Sequence, residues 1–198
     1  MGTNYNPDKI DLEIDMFFSY CDMPFKENPF NFFLQTLLLT LFLSMLSMAP
    51  NAYALDMPTG RVILKVTGNI SATNVGDAAH FDRKMLEQLP SASFVTGTPW
   101  TSKAHRWEGV LVSELLRHIG AGSQSFVASA LDDYKVHVKG IDFTKYPVIF
   151  ALKQDDKVLV LRNKGPIWLM FPWDDFPEIH NETNLSLSIW QLSEIKID

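Results

Sequence analysis

Arg162 and Lys164 stand two residues apart, directly before Gly165-Pro166 and just after a β-rich apolar run. Two cations at a point where a strand stops and the backbone must bend can hold an anion. The guanidinium offers a flat bidentate fork and the ammonium a compact point charge. The same corner also reads as a solvated turn. Pockets are mainly apolar with a few convergent polar groups, so the aromatic residues bear on the choice. Trp100 and Trp107 bracket a polar stretch, and loop tryptophans can roof a pocket while their indole N–H groups seek partners. Asp132 precedes Tyr134 by two residues and can line a cleft beside it.

Other chemistries find less support. His80, His105, His118, His137 and His180 are scattered, with no pair at helical ligand spacing. No glycine-rich phosphate loop occurs, and Ser113 and Ser125 lack a nucleophile elbow. The acidic pairs Asp132-Asp133, Asp155-Asp156 and Asp174-Asp175 fall at expected turns, where Asp is favoured for local hydrogen bonding.

The elements that must position these residues follow from pattern. Arg61–Thr67 and Ala92–Thr96 read as strands, and Phe126–Ala130 with Tyr134–Val138 as a pair joined by a tight turn. Val148–Leu152 and Val158–Leu161 flank Gln154-Asp155-Asp156-Lys157 and predict a β-hairpin. Phe81–Leu89 and Val112–Ile119 carry helical spacing, the second with Ser113 as its cap and Gly120 at its C-terminal end. Residues 100–107 and 174–184 are expected to be loops, and Leu187–Ile197 a final strand. About eight strands and two short helices, not regularly interleaved, predict an α+β fold, mostly β, in a single compact domain.

Asn31–Met48 is nearly free of charge and rich in Leu, Phe and Met, and Ala52-Tyr53-Ala54 follows it. That pattern predicts an export signal cleaved after Ala54, the alternative being an uncleaved membrane anchor. Residues 1–28 carry two lysines against six carboxylates, the wrong sign for such a signal, so translation is expected to start at Met23. Residues 1–54 are then a leader and 55–198 the working domain, with 15 Lys and Arg against 17 Asp and Glu. That balance argues against nucleic acid as a partner. The single cysteine, Cys21, lies in the leader, so residues 55–198 have no disulfide and no thiolate for metal binding or catalysis. The expected location is the bacterial periplasm, with no stable membrane span once the leader is removed.

The order of several short motifs resembles the sulfite-oxidase-type molybdopterin-binding domain. The pieces are Thr98-Pro99-Trp100-Thr101, Trp107-Glu108-Gly109-Val110, the Leu115-Leu116 helix ending at Gly120, Ala130–Tyr134, Tyr146–Leu152, Arg162–Trp168 and Ser188–Leu192. The resemblance covers roughly 62–197 and implies that family's fold. Two departures stand out. Trp168 replaces a basic residue of the family, and the loop matching the family's molybdenum-ligating cysteine reads Thr96-Gly97-Thr98. A hydroxyl is a poor substitute for a soft thiolate on that metal. The resemblance therefore implies a non-catalytic module that binds a small anionic ligand or a periplasmic or membrane protein partner, with no cofactor expected. The ligand contacts would be Thr98, Trp100, Trp107, Asp132, Tyr134, Arg162 and Lys164. The alternative is an oxidoreductase that binds molybdopterin without the cysteine.

Overall fold

The computed structural model describes residues 55–198 together with Leu34, Leu37 and Leu38, which are helical. Apart from those three leucines, the expected signal run lies outside the described residues, as do Ala54 and the expected start at Met23. Among the described residues, no helix is long and apolar enough to cross a membrane.

Among the described residues from Leu55 on, ten strands and three short α-helices make a mostly β, α+β fold built on two five-stranded sheets. In the first sheet the order is β2 (Ala79–Asp82), β1 (Val62–Gly68), β10 (Leu192–Ile197), β5 (Phe126–Ala130), β6 (Lys135–Val138). The first and last strands of the domain pair in parallel at its centre, with Lys65 opposite Glu194 and Thr67 opposite Lys196. Alternation explains the inner face: Leu64 and Val66 of β1, Phe126 and Ala128 of β5, and Ile195 and Ile197 of β10 are all buried.

The second sheet runs β3 (Ser91–Thr96), β4 (His105–Leu111), β7 (Ile149–Gln154). The far edge of β7 is shared by β8 (Lys157–Val158) and β9 (Trp168–Met170). Ile149, Phe150, Ala151 and Leu152 are buried in succession, the signature of a strand covered on both faces. Phe126 from the first sheet meets Phe150 from the second at 6.2 Å and stacks on Phe143 at 6.1 Å, joining the layers in one core.

Gly109 shows how closely β4 and β7 approach. A Cβ there would overlap the Phe150 carbonyl oxygen and the Ala151 Cα. The β7–β8 connection has Asp155 and Asp156 at φ of 48° and 62°, the left-handed pair of a tight hairpin turn. Their carboxylates also reach β4: Asp155 to His105 at 2.7 Å and Asp156 to Arg106 at 2.8 Å.

Several expected elements differ. Residues 105–111 are a strand and not part of a loop, so only residues 97–104 separate β3 from β4. Charged Arg106 and Glu108 conceal the alternation that turns Trp107 inward. The helix expected at Phe81–Leu89, α1, is only Arg83–Glu87, because Ala79 and Phe81 alternate into the core as β2. Helix α2 (Val112–His118) has Leu111 at its N-cap without a side-chain bond, so Ser113 is not the cap. Its end fits the expectation. Gly120 has φ +57°, with Ala121 N–H donating to Leu116 O at 2.9 Å and Gly120 N–H to Arg117 O at 3.1 Å.

Residues 174–184 are not simply a loop. A 3-10 turn at Pro177–Ile179 leads into α3 (Glu182–Ser186), which Asn181 caps by accepting the Asn184 N–H at 3.0 Å. The last strand begins at Leu192 and not at Leu187.

Asp82 caps α1 and anchors the segment before β1. It accepts backbone N–H groups from Met85 (2.9 Å), Thr59 (2.9 Å) and Gly60 (2.7 Å). These bonds favour the charged carboxylate, the one from Met85 most, and lower its pKa from the ordinary value. Stability from such a group is complete above the unfolded pKa and is lost as pH falls through the lower folded one. Asp82→Asn should therefore lower Tm near neutrality and flatten the acid limb, so that the two proteins converge between about pH 5 and pH 2. Thermal melts across that range would check this; a constant difference in Tm would contradict the assignment.

Candidate functional site

The five tryptophans form one cluster, with Trp168 of β9 at its middle. Trp168 is buried and meets Trp107 edge-on at 5.0 Å, Trp190 at 5.9 Å and Trp100 at 6.1 Å. Trp100 in turn meets Trp190 at 5.5 Å and Trp173 at 6.4 Å. The Trp168 indole donates to the Ser188 hydroxyl at 2.9 Å, which ties β9 to the segment before β10.

Trp100 reaches this cluster because its loop folds on Thr98. The Thr98 hydroxyl accepts the Trp100 N–H at 3.2 Å and shares a bond with the Thr101 hydroxyl at 3.0 Å. Thr98 is nearly buried, so it acts as the brace of the loop. Trp107 is fully buried on β4 and donates its indole N–H to the Thr96 carbonyl at 3.2 Å. It backs the cluster from inside the core and presents no surface to a ligand, a correction to its expected role as a contact. Its inward turn follows from the alternation of β4.

Trp100 and Trp190 wall a cleft of about 310 Å³. Asp132 and Tyr134 line it from the β5–β6 turn, and Leu185 and Ser186 from α3. The Tyr134 N–H donates to the Asp132 carboxylate at 3.2 Å, closing a local turn in which Asp133 takes φ 67°. Tyr134 itself is more than half exposed.

The expected pair of cations is split. Arg162 sits in a 3-10 turn, Leu161–Asn163, and Lys164 follows it in the left-handed region at φ 63°. The left-handed residue ends the turn and redirects the chain, and the two side chains line different surfaces. The Lys164 ammonium lies over two indole rings, 4.8 Å from Trp168 and 4.7 Å from Trp190. Burial lowers its pKa from the usual lysine value. Among the described residues no carboxylate pairs with it. Arg162 lines a different groove, with Arg61 and Arg83.

The structure thus brings Trp100, Asp132 and Tyr134 together at one cleft, and Lys164 beside it through Trp190. It sets Trp107 and Thr98 behind that cleft and Arg162 elsewhere. Trp190, Leu185 and Ser186 are cleft residues that the sequence reading did not select. The Asn181 cap signal three residues before Asn184 marks the helix that supplies Leu185 and Ser186, but its single turn carries too little periodicity to stand out.

The Thr96–Thr98 stretch, where the resemblance places a metal ligand, is closed by hydrogen bonds. The Thr96 hydroxyl is buried, donates to the Gly97 carbonyl at 3.3 Å and accepts the Asp174 N–H at 3.2 Å. The Asp174 carboxylate accepts the Gly97 N–H at 3.0 Å. Among the described residues there is no group of three or more His, Cys, Asp or Glu placed to hold a metal ion.

Another groove, about 1140 Å³, runs beside α2. Its charged groups already have partners: Glu114 pairs with Arg117 at 2.7 Å, and Lys145 bonds the Tyr146 hydroxyl at 2.7 Å. By contrast, no carboxylate among the described residues pairs with Lys164 beside the tryptophan cleft. No protein-family model matches this chain, and no curated protein matches it.

Proposed function

We propose that residues 55–198 form a non-catalytic binding module for a small anionic ligand, on a scaffold of the sulfite-oxidase molybdopterin-binding type, working in the bacterial periplasm. The observation that carries this reading is the cleft between Trp100 and Trp190, with a carboxylate-free ammonium, Lys164, held against the second of those rings. A cation drawn out of water without a counter-charge leaves an electrostatic deficit that an anion relieves. The occupant that fits has a flat or short apolar body to stack on the indoles, a hydrogen-bond donor for Asp132 and an anionic group directed at Lys164.

The residues present do not fit molybdopterin chemistry of the family's kind. The Thr96–Thr98 stretch offers only hydroxyl and peptide groups, and both hydroxyls already bond within the fold. None is a soft donor. This supports a binding role over redox turnover.

Native mass spectrometry of the chain isolated from its own cells tests the proposal. The wild type should retain a small molecule at near one equivalent. Trp100→Ala, which removes one wall of the cleft, should retain at least tenfold less, since an aromatic anchor is commonly worth 2 kcal/mol or more, about thirtyfold in affinity. Equal retention by both proteins, or an unloaded wild type, would sink the proposal.

A further inference from the structure

The groove that takes Arg162 has a composition of its own. Arg61, Arg83 and Arg162 all line it, and no Asp or Glu does. Among the described residues none of the three guanidiniums has an ion-pair partner. Arg83 donates only to the Leu152 and Leu159 carbonyls, at a long 3.4 Å each. Between the arginines the wall is apolar and exposed: Val62, Leu131, Val158, Val160 and Leu161 are each 39–49% accessible. Large apolar side chains gathered on one exposed surface mark a binding site more often than scattered ones do. The cavity is about 690 Å³, within the range of small-molecule sites.

These facts select the occupant. Three cations without carboxylates call for an anion, and the exposed valines and leucines call for a flexible apolar body attached to it. A peptide strand is a poor match. Strand addition needs a length of free backbone edge, and β8 at this groove is only Lys157–Val158, with Leu159 N–H already given to Leu152 O at 2.8 Å. Ser193 is the sole uncharged polar side chain in the lining, so a sugar or nucleoside would find few partners.

We infer that this groove binds a single-chain carboxylate amphiphile, a fatty acid, with its head among Arg61, Arg83 and Arg162 and its chain along Val158–Leu161. The site is separate from the tryptophan cleft. The β5–β6 turn stands between them, giving Leu131 to the groove and Asp132 and Tyr134 to the cleft.

Calorimetric titration of the full chain with octanoate, decanoate and decanol tests this. Each buried methylene contributes about 0.8 kcal/mol, about fourfold in affinity, so decanoate should bind more than tenfold tighter than octanoate. Decanol, without the charge, should bind at least tenfold more weakly than decanoate. The double substitution Arg61→Gln and Arg162→Gln alters two exposed side chains and should weaken decanoate at least tenfold without lowering Tm. Val160→Asp sets a carboxylate into the groove at an exposed position and should abolish binding, which keeps the test intact if the double variant misfolds. Equal affinity for decanoate and decanol, no chain-length dependence, or unchanged binding by Val160→Asp would each overturn the inference. So would an acidic peptide that displaces decanoate at lower concentration.

Discussion

Trp168→Ala should destabilise the fold by about 4 kcal/mol, the range for losing a buried tryptophan. Trp168 is 1% exposed and touches three other tryptophans at ring distances of 5.0–6.1 Å. Its removal leaves a cavity that the β7–β9 ladder on one side and Ser188 on the other prevent from collapsing. A domain of this size has a total stability of about 5–15 kcal/mol, so the variant should stand near its folding limit. Urea denaturation followed by circular dichroism would measure it. Trp168→Phe keeps most of the ring but leaves the Ser188 hydroxyl without its indole donor, and should cost nearer 2 kcal/mol. A loss below about 1 kcal/mol for the alanine variant would mean that the cluster does not rest on Trp168. Losing that ring should also free the Lys164 ammonium from one of its two indole faces.

Gly109→Ala should cost about 3 kcal/mol, although it adds one methyl group. The new Cβ would meet backbone atoms of Phe150 and Ala151, which cannot yield without breaking the β4–β7 ladder at the bulge between Glu108 and Gly109. Gly97→Ala is the control. A Cβ there meets nothing within 4 Å and its φ is not left-handed, so the change should be neutral or slightly stabilising. Equal melting temperatures for the two variants would contradict the close approach at Gly109.

Both predictions depend on features only partly legible in the sequence. The alternating runs of β1, β3, β5 and β6, and helix α2 with its Gly120 terminus, match their patterns to within a residue or two. Each has a clean period and a turn residue at its end. The strand β4 escapes notice because His105, Arg106 and Glu108 look like loop composition. Their partners explain the composition: Asp155 bonds His105, and Asp156 and Lys153 supply charges opposite to Arg106 and Glu108 from β7 and its turn. The second arm of the expected hairpin is cut to Lys157–Val158 because β9 claims the rest of the β7 edge, a contact between residues distant in sequence.

The candidate site divides the same way. Residue types identified the aromatic and cationic groups, and Trp100, Asp132 and Tyr134 do meet at one cleft. Chain proximity misled for Arg162 and Lys164, because a 3-10 turn followed by a left-handed residue sends neighbours to different surfaces. For Trp107 the error has one cause, the strand read as a loop.

The central claim is that this domain binds rather than oxidises or reduces. Molybdenum and pterin content per chain, measured on protein isolated from the compartment of its native cell, tests it most directly. The account predicts both well below one tenth of an equivalent, with Thr96 and Thr98 holding only their protein partners. One equivalent of molybdenum with its pterin, retained through purification, would contradict it.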